Sequence, residues 1–342
     1  MQDIKALSHE QLQELFETLG QPKFRVKQLE KRLYGLGATS FDDIYEFPKP
    51  LREKLASEYT LSAPTIVASR ESADGSRVFL LELADGNRIE TVGIPSGDRL
   101  TVCFSTQVGC PMKCAFCATG LQGFTRNLNC GEMVDQIRIV ADSFEKRVSN
   151  VVAMGQGEPF LNYNAVLSAL RYMNSADGLN IGARKITVST CGIIRGIRRF
   201  AEEPEQFTLA VSLHSALQGK RNDLMPGVIH ESLDNLRLAL GDYVRKTNRR
   251  PTLEYALIAG KNDSPAALDA LLEFCEGLHC HVNLIPLNDI PGSPYTKSPA
   301  ERFDAFSEAL QRHGVETTVR DSRGSDVDGA CGQLYSEEQR KK

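Results

Sequence analysis

Three cysteines with a spacing suited to a metal centre lie in one short stretch of the chain. They form the run Cys110-Pro-Met-Lys-Cys114-Ala-Phe-Cys117, preceded by Gly109. A structural zinc site normally has four protein ligands, and a four-iron cluster normally has four thiolates. Three thiolates around a four-iron cluster would leave one iron open to bind a small molecule. A zinc site completed by Cys103 or by a distant histidine is the alternative.

A glycine–glutamate–proline motif follows the next apolar run of the chain. Gly157-Glu158-Pro159 comes soon after the apolar residues 151–154. Glycine allows the backbone to approach a ligand closely, and a carboxylate at that point can accept hydrogen bonds from an ammonium group. The motif therefore predicts a ligand contact, and a tight turn with a surface glutamate is the alternative.

Two further cysteines differ in their setting. Cys331 lies in Gly-Ala-Cys-Gly, where glycines on either side leave a thiol uncovered and able to reach into a pocket. Cys103 lies inside a predicted strand, where a buried, unreactive thiol is the alternative. The other cysteines are predicted to be core residues, namely Cys130, Cys191, Cys275 and Cys280.

Composition limits the class of protein. The 342 residues are 41% hydrophobic and 25% charged, which is typical of a globular protein with one large and one smaller domain. No apolar run is long enough to span a bilayer, and residues 1–9 contain no secretory signal. Nine cysteines, an odd number, indicate a reducing compartment and thiols that bind metal or react. We therefore expect a cytoplasmic protein.

The net charge of −4 argues against a uniformly basic nucleic-acid-binding protein. Basic residues do gather locally, and such patches can contact phosphates if they share one surface. Single runs are more often solvated helix faces. The runs are 23–27, 31–32, 195–199, 220–221 and 245–250.

The chain divides into four predicted parts. Residues 1–62 show helical patterns, with a capping box from Ser8 to Gln11, and form a small module that either covers the main domain or docks RNA. Residues 63–98 contain short strands with Ala-Asp-Gly turns and form an antiparallel β extension. Residues 99–334 form the main domain, and residues 335–342 form a flexible polar tail.

The main domain alternates strands and helices. Six helices are predicted between strands at 101–105, 150–154, 185–190, 207–214, 252–258, 281–286 and 316–320. This alternation predicts parallel strands in an α/β partial barrel of about six β/α units. In such folds the chemistry lies beyond the carboxyl ends of the strands, and the motifs above fall at those positions.

Together, these motifs resemble those of the RlmN/Cfr family, radical S-adenosylmethionine (SAM) enzymes that methylate an adenosine of large-subunit ribosomal RNA. The resemblance covers the chain from about residue 20 to Leu334. It is carried by residues 103–110, the cysteine run, and residues 119–127, 154–159, 212–214 and 330–334. It implies a partial (β/α)6-type radical SAM barrel with a small helical N-terminal domain.

The resemblance also implies roles for individual residues. Cys110, Cys114 and Cys117 would hold a [4Fe–4S] cluster with one open iron. Cys331 would carry the methyl group, Cys103 would resolve the intermediate, and Glu90 would accept a proton, unless Glu90 is a polar residue on the solvent face of a strand. The SAM contacts would be Gly157, Glu158, Ser189, Ser212, Leu213, His214 and Asn288.

By the same resemblance, two SAM molecules serve each turnover. The first would methylate the sulfur of Cys331. The second would be cleaved reductively to a 5′-deoxyadenosyl radical, which takes a hydrogen from that methyl group. The resulting carbon radical would add to the adenine ring, and Cys103 would then attack the sulfur of Cys331 to release the base and form a transient disulfide.

The implied substrate is adenosine 2503 of 23S rRNA, in the peptidyl-transferase centre, with adenosine 37 of tRNA as a second target. Residues 323–328 and 288–294 look nearer to the enzymes that methylate carbon 2 than to those that methylate carbon 8. The implied partner is a reducing electron donor such as flavodoxin or ferredoxin. We expect no membrane association and a monomeric protein. A small-molecule radical SAM enzyme and a zinc-stabilised, non-catalytic RNA-binding protein are the remaining alternatives.

Overall fold

The computed structural model describes residues 1–290 and 292–334, and its centre is one mixed sheet of ten strands. The tail predicted at 335–342 lies outside the described residues. None of the helices in the described part combines the length and hydropathy needed to cross a membrane.

The N-terminal module is helical, as predicted, but a short strand pair closes it. Strands β1 (Gln2–Asp3) and β2 (Tyr59–Thr60) pair in parallel. Ser8 forms the predicted capping box with Gln11 at the start of the first helix. Between the two strands lie α1 (His9–Thr18), α2 (Phe24–Glu30), a π-helical turn (Lys31–Gly35) and α3 (Lys49–Glu58), with 3-10 turns at Ile4–Ala6 and Phe41–Asp43.

An antiparallel extension joins this module to the barrel. It consists of β3 (Thr65–Glu71), β4 (Arg77–Glu82) and β5 (Arg88–Ser96), as the Ala-Asp-Gly turns predict. Strand β5 continues the sheet by pairing antiparallel with β6 (Arg99–Cys103), and Val92 lies opposite Cys103. The side chain of Cys103 therefore lies on the same face of the sheet as the side chain of Val92.

A two-stranded ribbon that the sequence did not predict follows β6. Strands β7 (Gln107–Gly109) and β8 (Phe124–Asn127) pair antiparallel on either side of the cysteine run. Gly109 has a φ of +73°, and a Cβ added there would lie 2.0 Å from the carbonyl oxygen of Gly123. Only glycine allows the two strands to approach this closely at the start of the cysteine run.

The parallel part of the sheet contains seven strands. Strand β6 pairs in parallel with β9, and the order then runs through to β14. The edges of the ten-stranded sheet are β3 and β14, so the barrel is partial, as predicted. The remaining strands are β9 (Asn150–Ala153), β10 (Ile186–Thr190), β11 (Thr208–Ser212), β12 (Thr252–Leu257), β13 (His281–Pro286) and β14 (Glu316–Val319).

Helices pack on the outside of the parallel strands. The six helices predicted between the strands are present, and two short ones, α4 and α8, were not predicted. The helices are α4 (Ala118–Gln122), α5 (Cys130–Ser143), α6 (Tyr163–Asn174), α7 (Ile194–Phe200), α8 (Gln218–Leu224), α9 (Leu233–Thr247), α10 (Pro265–Cys275) and α11 (Ala300–Arg312).

A buried ion pair fastens the N-terminal module to the barrel. Lys5 Nζ donates to Asp135 Oδ2 of α5 at 2.7 Å and to the carbonyl oxygen of Ser62 at 3.0 Å. Both side chains of the pair are buried. Breaking a buried pair is costly because one charge is left without its partner.

We predict that Lys5→Met lowers the free energy of unfolding by about 3–5 kcal/mol near neutral pH, measured by urea denaturation. Burial raises the pKa of Asp135, and Lys5 opposes that rise. In the variant the folded protein binds a proton on Asp135 more readily than the unfolded chain, so the loss should shrink as the pH falls. Lys49→Met, which breaks an exposed pair with Glu53, is the control and should change stability by under about 1 kcal/mol. Equal losses in the two variants would contradict the prediction.

Candidate active site

The carboxyl ends of the parallel strands surround a cavity with about 1020 Å³ of empty space, open on one side to solvent. Most of the predicted site residues line it, although they come from many separate strands and loops. These are Cys110, Cys114, Cys117, Gly157, Glu158, Ser189, Ser212, His214, Asn288 and Cys331.

The cysteine run is held by hydrogen bonds to two distant segments. The amide of Ala115 donates to the carbonyl oxygen of Leu224 at 2.9 Å, which ties the run to the end of α8. The amide of Ala118 donates to the carbonyl oxygen of Gly332 at 2.7 Å, next to Cys331. These bonds fix the backbone of the run, so its three side chains project from a defined loop.

The three thiols offer a soft, sulfur-only donor set on one cavity wall. Burial raises the pKa of Cys117 to about 12 and raises the pKa of Cys110 as well, and charge on neighbouring thiols adds to both rises. No three His, Cys, Asp or Glu side chains in the described ranges converge on a single metal-ion position. The negative charges of neighbouring thiolates repel one another, and bound iron would offset that repulsion. The three cysteines therefore fit a sulfur-ligated cluster.

Glu158 lies buried in the cavity wall, at the start of a 3-10 turn. Its Oε1 accepts from the amide of Phe160 at 3.0 Å, and its Oε2 accepts from the amide of Cys191 at 2.6 Å. Burial raises the pKa of Glu158, and these amide bonds oppose the rise. The carboxylate is thus held rigidly and would be stabilised in its ionised form by a cationic ligand.

His214 follows β11 in a left-handed conformation, with a φ of +51°. Its Nδ1 accepts from the amide of Ala256 at 2.9 Å, so the proton of the neutral ring lies on Nε2. Its carbonyl oxygen accepts from the side-chain amide of Asn262 at 2.6 Å, which supports the unusual backbone. The ring is edge-on to Phe116 of the cysteine run.

Cys103 and Cys331 meet at a smaller cavity that adjoins the first. Both line it, and Cys331 borders both cavities. Burial raises the pKa of Cys103 to about 12, with a further contribution from charge on Cys331. Cys331 is exposed as a residue, yet burial raises the pKa of its thiol also.

The segment that carries Cys331 is tied to the barrel. The side-chain amide of Asn288 donates to the carbonyl oxygen of Cys331 at 3.0 Å, and that of Gln333 donates to the carbonyl oxygen of Asp289 at 2.9 Å. Thr119 Oγ1 donates to the carbonyl oxygen of Leu334 at 2.8 Å. Asn288 therefore contributes to holding Cys331 as well as lining the cavity.

Two predicted site residues lie away from the walls of both cavities. Leu213 is fully buried behind the end of β11. Glu90 is also buried, at 1% exposure, so the alternative of a solvent-facing glutamate is wrong. It pairs with Arg70 at 3.0 Å and lies two residues from Val92, on the strand face that it shares with Cys103.

Other cavity residues were not predicted. Cys191 is only partly buried, lines the cavity and is hydrogen-bonded to Cys114, so its prediction as a core cysteine is wrong, whereas Cys130, Cys275 and Cys280 are buried. Arg320 follows β14 and lines both cavities, and its charge lowers the pKa of both Cys103 and Cys331.

The basic runs contribute less exposed charge than the sequence suggests. Arg221 is fully buried, so it cannot belong to a surface patch. Arg32 pairs with Glu46, Lys246 pairs with Glu202, and Arg250 pairs with Glu316. Exposed arginines remain at positions 195, 198 and 199.

Two family models match the chain. The model described as Radical SAM superfamily matches residues 104–269, which include the cysteine run and most of the cavity walls. The model described as Ribosomal RNA large subunit methyltransferase N-terminal domain matches residues 2–61. The partial barrel, the three thiols and the first match together define the class of radical SAM enzymes.

Known proteins narrow the class to one family. A probable dual-specificity RNA methyltransferase RlmN from Staphylococcus carnosus is 44% identical over 340 residues, 98% of this chain and 93% of that protein. The protein of the same name from Microcystis aeruginosa is 46% identical, over 97% of this chain and 98% of that one. The crystal structure of a radical SAM methyltransferase from Sphaerobacter thermophilus matches with a TM-score of 0.89 at 42% identity, covering 98% of this chain and 99% of that one. The chain belongs to the RlmN family.

We predict that His214 stays neutral, as the Nε2–H tautomer, throughout the range from pH 5 to 8, followed by NMR of the histidine-labelled protein. Burial, with a smaller contribution from Arg221, lowers the pKa of His214 to about 3. The same ring in the denatured protein should titrate near 6.5. A His214 signal that titrates near that value in the folded protein would contradict the assignment.

Proposed function

We propose that this protein methylates carbon 2 of adenosine 2503 in 23S rRNA, and of adenosine 37 in tRNA, through a methylated Cys331 and a transient disulfide with Cys103. One observation carries the proposal: the thiols of Cys103 and Cys331 border one cavity, which adjoins the cavity lined by Cys110, Cys114 and Cys117. A radical methyl transfer that uses a protein thiol as carrier needs a pair of thiols next to the site where SAM is cleaved.

Cys110, Cys114 and Cys117 would hold a [4Fe–4S] cluster. When bound, the cluster supplies an electron for reductive cleavage of SAM, which gives access to an otherwise unreactive methyl C–H bond. The cavity residues Gly157, Ser189, Ser212 and Asn288, with Leu213 behind them, would enclose SAM.

Two of these side chains have defined tasks toward SAM. The Glu158 carboxylate, held by the amides of Phe160 and Cys191, would accept from the ammonium group of the methionine portion. The Nε2–H group of His214 would donate to an acceptor on the ligand, because its Nδ1 is already occupied by Ala256. Together they would orient the ligand along the row of strand ends.

Cys331 acts as the nucleophile of the first methyl transfer, which requires its thiolate. The resting thiols of Cys331 and Cys103 are protonated because their pKa values are raised. Arg320 lowers both pKa values and so favours the thiolate at the moment of reaction. Once the base is attached through carbon, the Cys103 thiolate would attack the Cys331 sulfur. The S–S bond would form as the C–S bond breaks, and the released carbon would take a proton to become the methyl group.

After the carbon radical adds to the ring, the adduct would lose one electron, which returns to the cluster that supplied it, and one proton, which Glu90 would accept. Its position on the sheet face of Cys103, two residues from Val92, supports this role. Its ion pair with Arg70 would orient the carboxylate. The guanidinium of Arg70 also lies 3.7 Å from the carboxylate of Asp328, in the segment that leads to Cys331, so Arg70 would link Glu90 with that segment.

The N-terminal module would dock the RNA. Phe24 and Tyr45 on its surface are 54% and 72% exposed, and the guanidinium groups of Arg25 and Arg32 lie over their rings. Exposed aromatic and arginine planes are suited to stacking on unpaired bases. We further propose that the protein acts as a cytoplasmic monomer, with flavodoxin or ferredoxin as electron donor.

We predict that the anaerobically prepared, iron-loaded protein forms 2-methyladenosine in protein-free 23S rRNA, identified by mass spectrometry of the digested nucleosides. Cys331→Ala should reduce methylation to background because the methyl carrier is lost. Cys275→Ala, which changes a buried cysteine of α10, is the matched control and should remain active. Detection of 8-methyladenosine would contradict the carbon-2 assignment. A colourless protein that contains zinc in place of iron would support the non-catalytic alternative.

We predict that Cys103→Ala accumulates a covalent protein–RNA adduct under turnover conditions, because the bond between Cys331 and the base can no longer be resolved. The adduct is measured as a thiol-resistant mobility shift on a denaturing gel. The double variant with Cys331→Ala should form none. Multiple turnovers by Cys103→Ala without an adduct would remove Cys103 from the mechanism.

A further inference from the structure

Arg221 on α8 is the largest of the fully buried side chains among the described residues, with 0% exposure. Its Nη2 donates to the carbonyl oxygens of Cys191 at 2.7 Å and Ser212 at 3.3 Å. Its Nε and Nη1 are buried and make no hydrogen bond to the described protein. None of the ion pairs found within residues 1–290 and 292–334 includes it.

A buried guanidinium in this state is strongly unfavourable. Burial lowers the pKa of Arg221, but an arginine keeps its proton in proteins, so the charge persists. A buried charge normally has a counter-charge within reach. Among the described residues, the charge of Glu231 acts on Arg221 but no ion pair joins the two, and the hydrogen-bond partners of the guanidinium are two carbonyl oxygens, so the positive charge lacks a paired counter-charge.

The surroundings of Arg221 belong to the cavity wall. Cys191 and Ser212, whose carbonyl groups it binds, both line the cavity at the ends of β10 and β11. The helix that carries it ends at Leu224, whose carbonyl oxygen accepts from Ala115 between two of the cysteines. The charge of Arg221 also acts on His214, whose pKa it lowers.

A sulfur-ligated cluster would bring the missing negative charge. Three thiolates carry more negative charge than an oxidised four-iron core cancels, and reduction adds one more electron. The reduction potential of such a cluster depends on its net charge, its burial and the charges around it. A fixed, buried cation nearby favours the reduced form and makes the potential less negative.

We infer that Arg221 is a positioning residue that compensates the charge of the cluster and favours its reduction, while it joins the ends of β10 and β11 behind the SAM cavity. This inference depends on the proposed binding of the cluster by Cys110, Cys114 and Cys117.

The test is a redox titration of the anaerobically reconstituted proteins, followed by electron paramagnetic resonance, with iron content measured on each sample. Arg221→Met should shift the midpoint potential to a more negative value than that of the wild type. Arg249→Met is the matched control. Its guanidinium donates to Phe207 and Thr208 at the opposite end of β11, so the same net charge is lost far from the cavity and the potential should not change. Equal potentials in Arg221→Met and the wild type, at equal iron content, would overturn the inference.

Arg221→Lys covers the case in which Arg221→Met does not fold or retain iron. The lysine keeps the charge and replaces the planar guanidinium, whose Nη2 donates to both carbonyl oxygens, with an ammonium group. A cluster with the wild-type potential in Arg221→Lys would support the role of the charge, whereas a lost cluster or a more negative potential would overturn it in favour of a purely structural role. A wild-type protein that takes up no iron would instead overturn the proposed function, which the iron measurement identifies separately.

Discussion

The backbone of the cysteine run is held from three directions, and the rest of the site depends on that constraint. The ribbon of β7 and β8 supports the run at Gly109, the end of α8 binds it at Ala115, and the segment after Cys331 binds it at Ala118. Since none of these bonds uses a cysteine side chain, the three sulfur atoms remain available on the cavity wall. The carboxyl ends of the parallel strands then form the other walls of the cavity.

The hydrogen bonds at Ala118 and Asn288 hold the segment that carries Cys331 against the rest of the site. One places the Cys331 segment against the cysteine run, and the other holds the Cys331 carbonyl group. These bonds keep Cys331 at the border of the two cavities, as its proposed role requires.

Much of this arrangement could be predicted from the sequence because strand alternation and motif position agree. Their apolar patterns predict the seven parallel strands and six of the helices. The positions of Glu158, Ser189 and Ser212 at or just after strand ends predict that these residues lie at one edge of the sheet. Cys191 and Arg320 could have been found by the same rule, because both follow strand ends directly. Arg221 could not, because α8 is short and polar, with a glycine at its second position, and its sequence gives little indication of a buried helix. Burial of Glu90 was also beyond a pattern argument, because both faces of β5 are covered.

The bond between Thr119 and Leu334 joins residues 215 positions apart in the chain, and it bears on how the protein matures. Chain synthesis proceeds from the N-terminus, so the three cysteines emerge from the ribosome long before residues 330–334. Until that last segment folds against the cysteine run, the cavity lacks the wall that carries Cys331. Before that segment docks, the thiols are therefore reached through a wider opening than in the mature fold, and its docking completes the cavity wall.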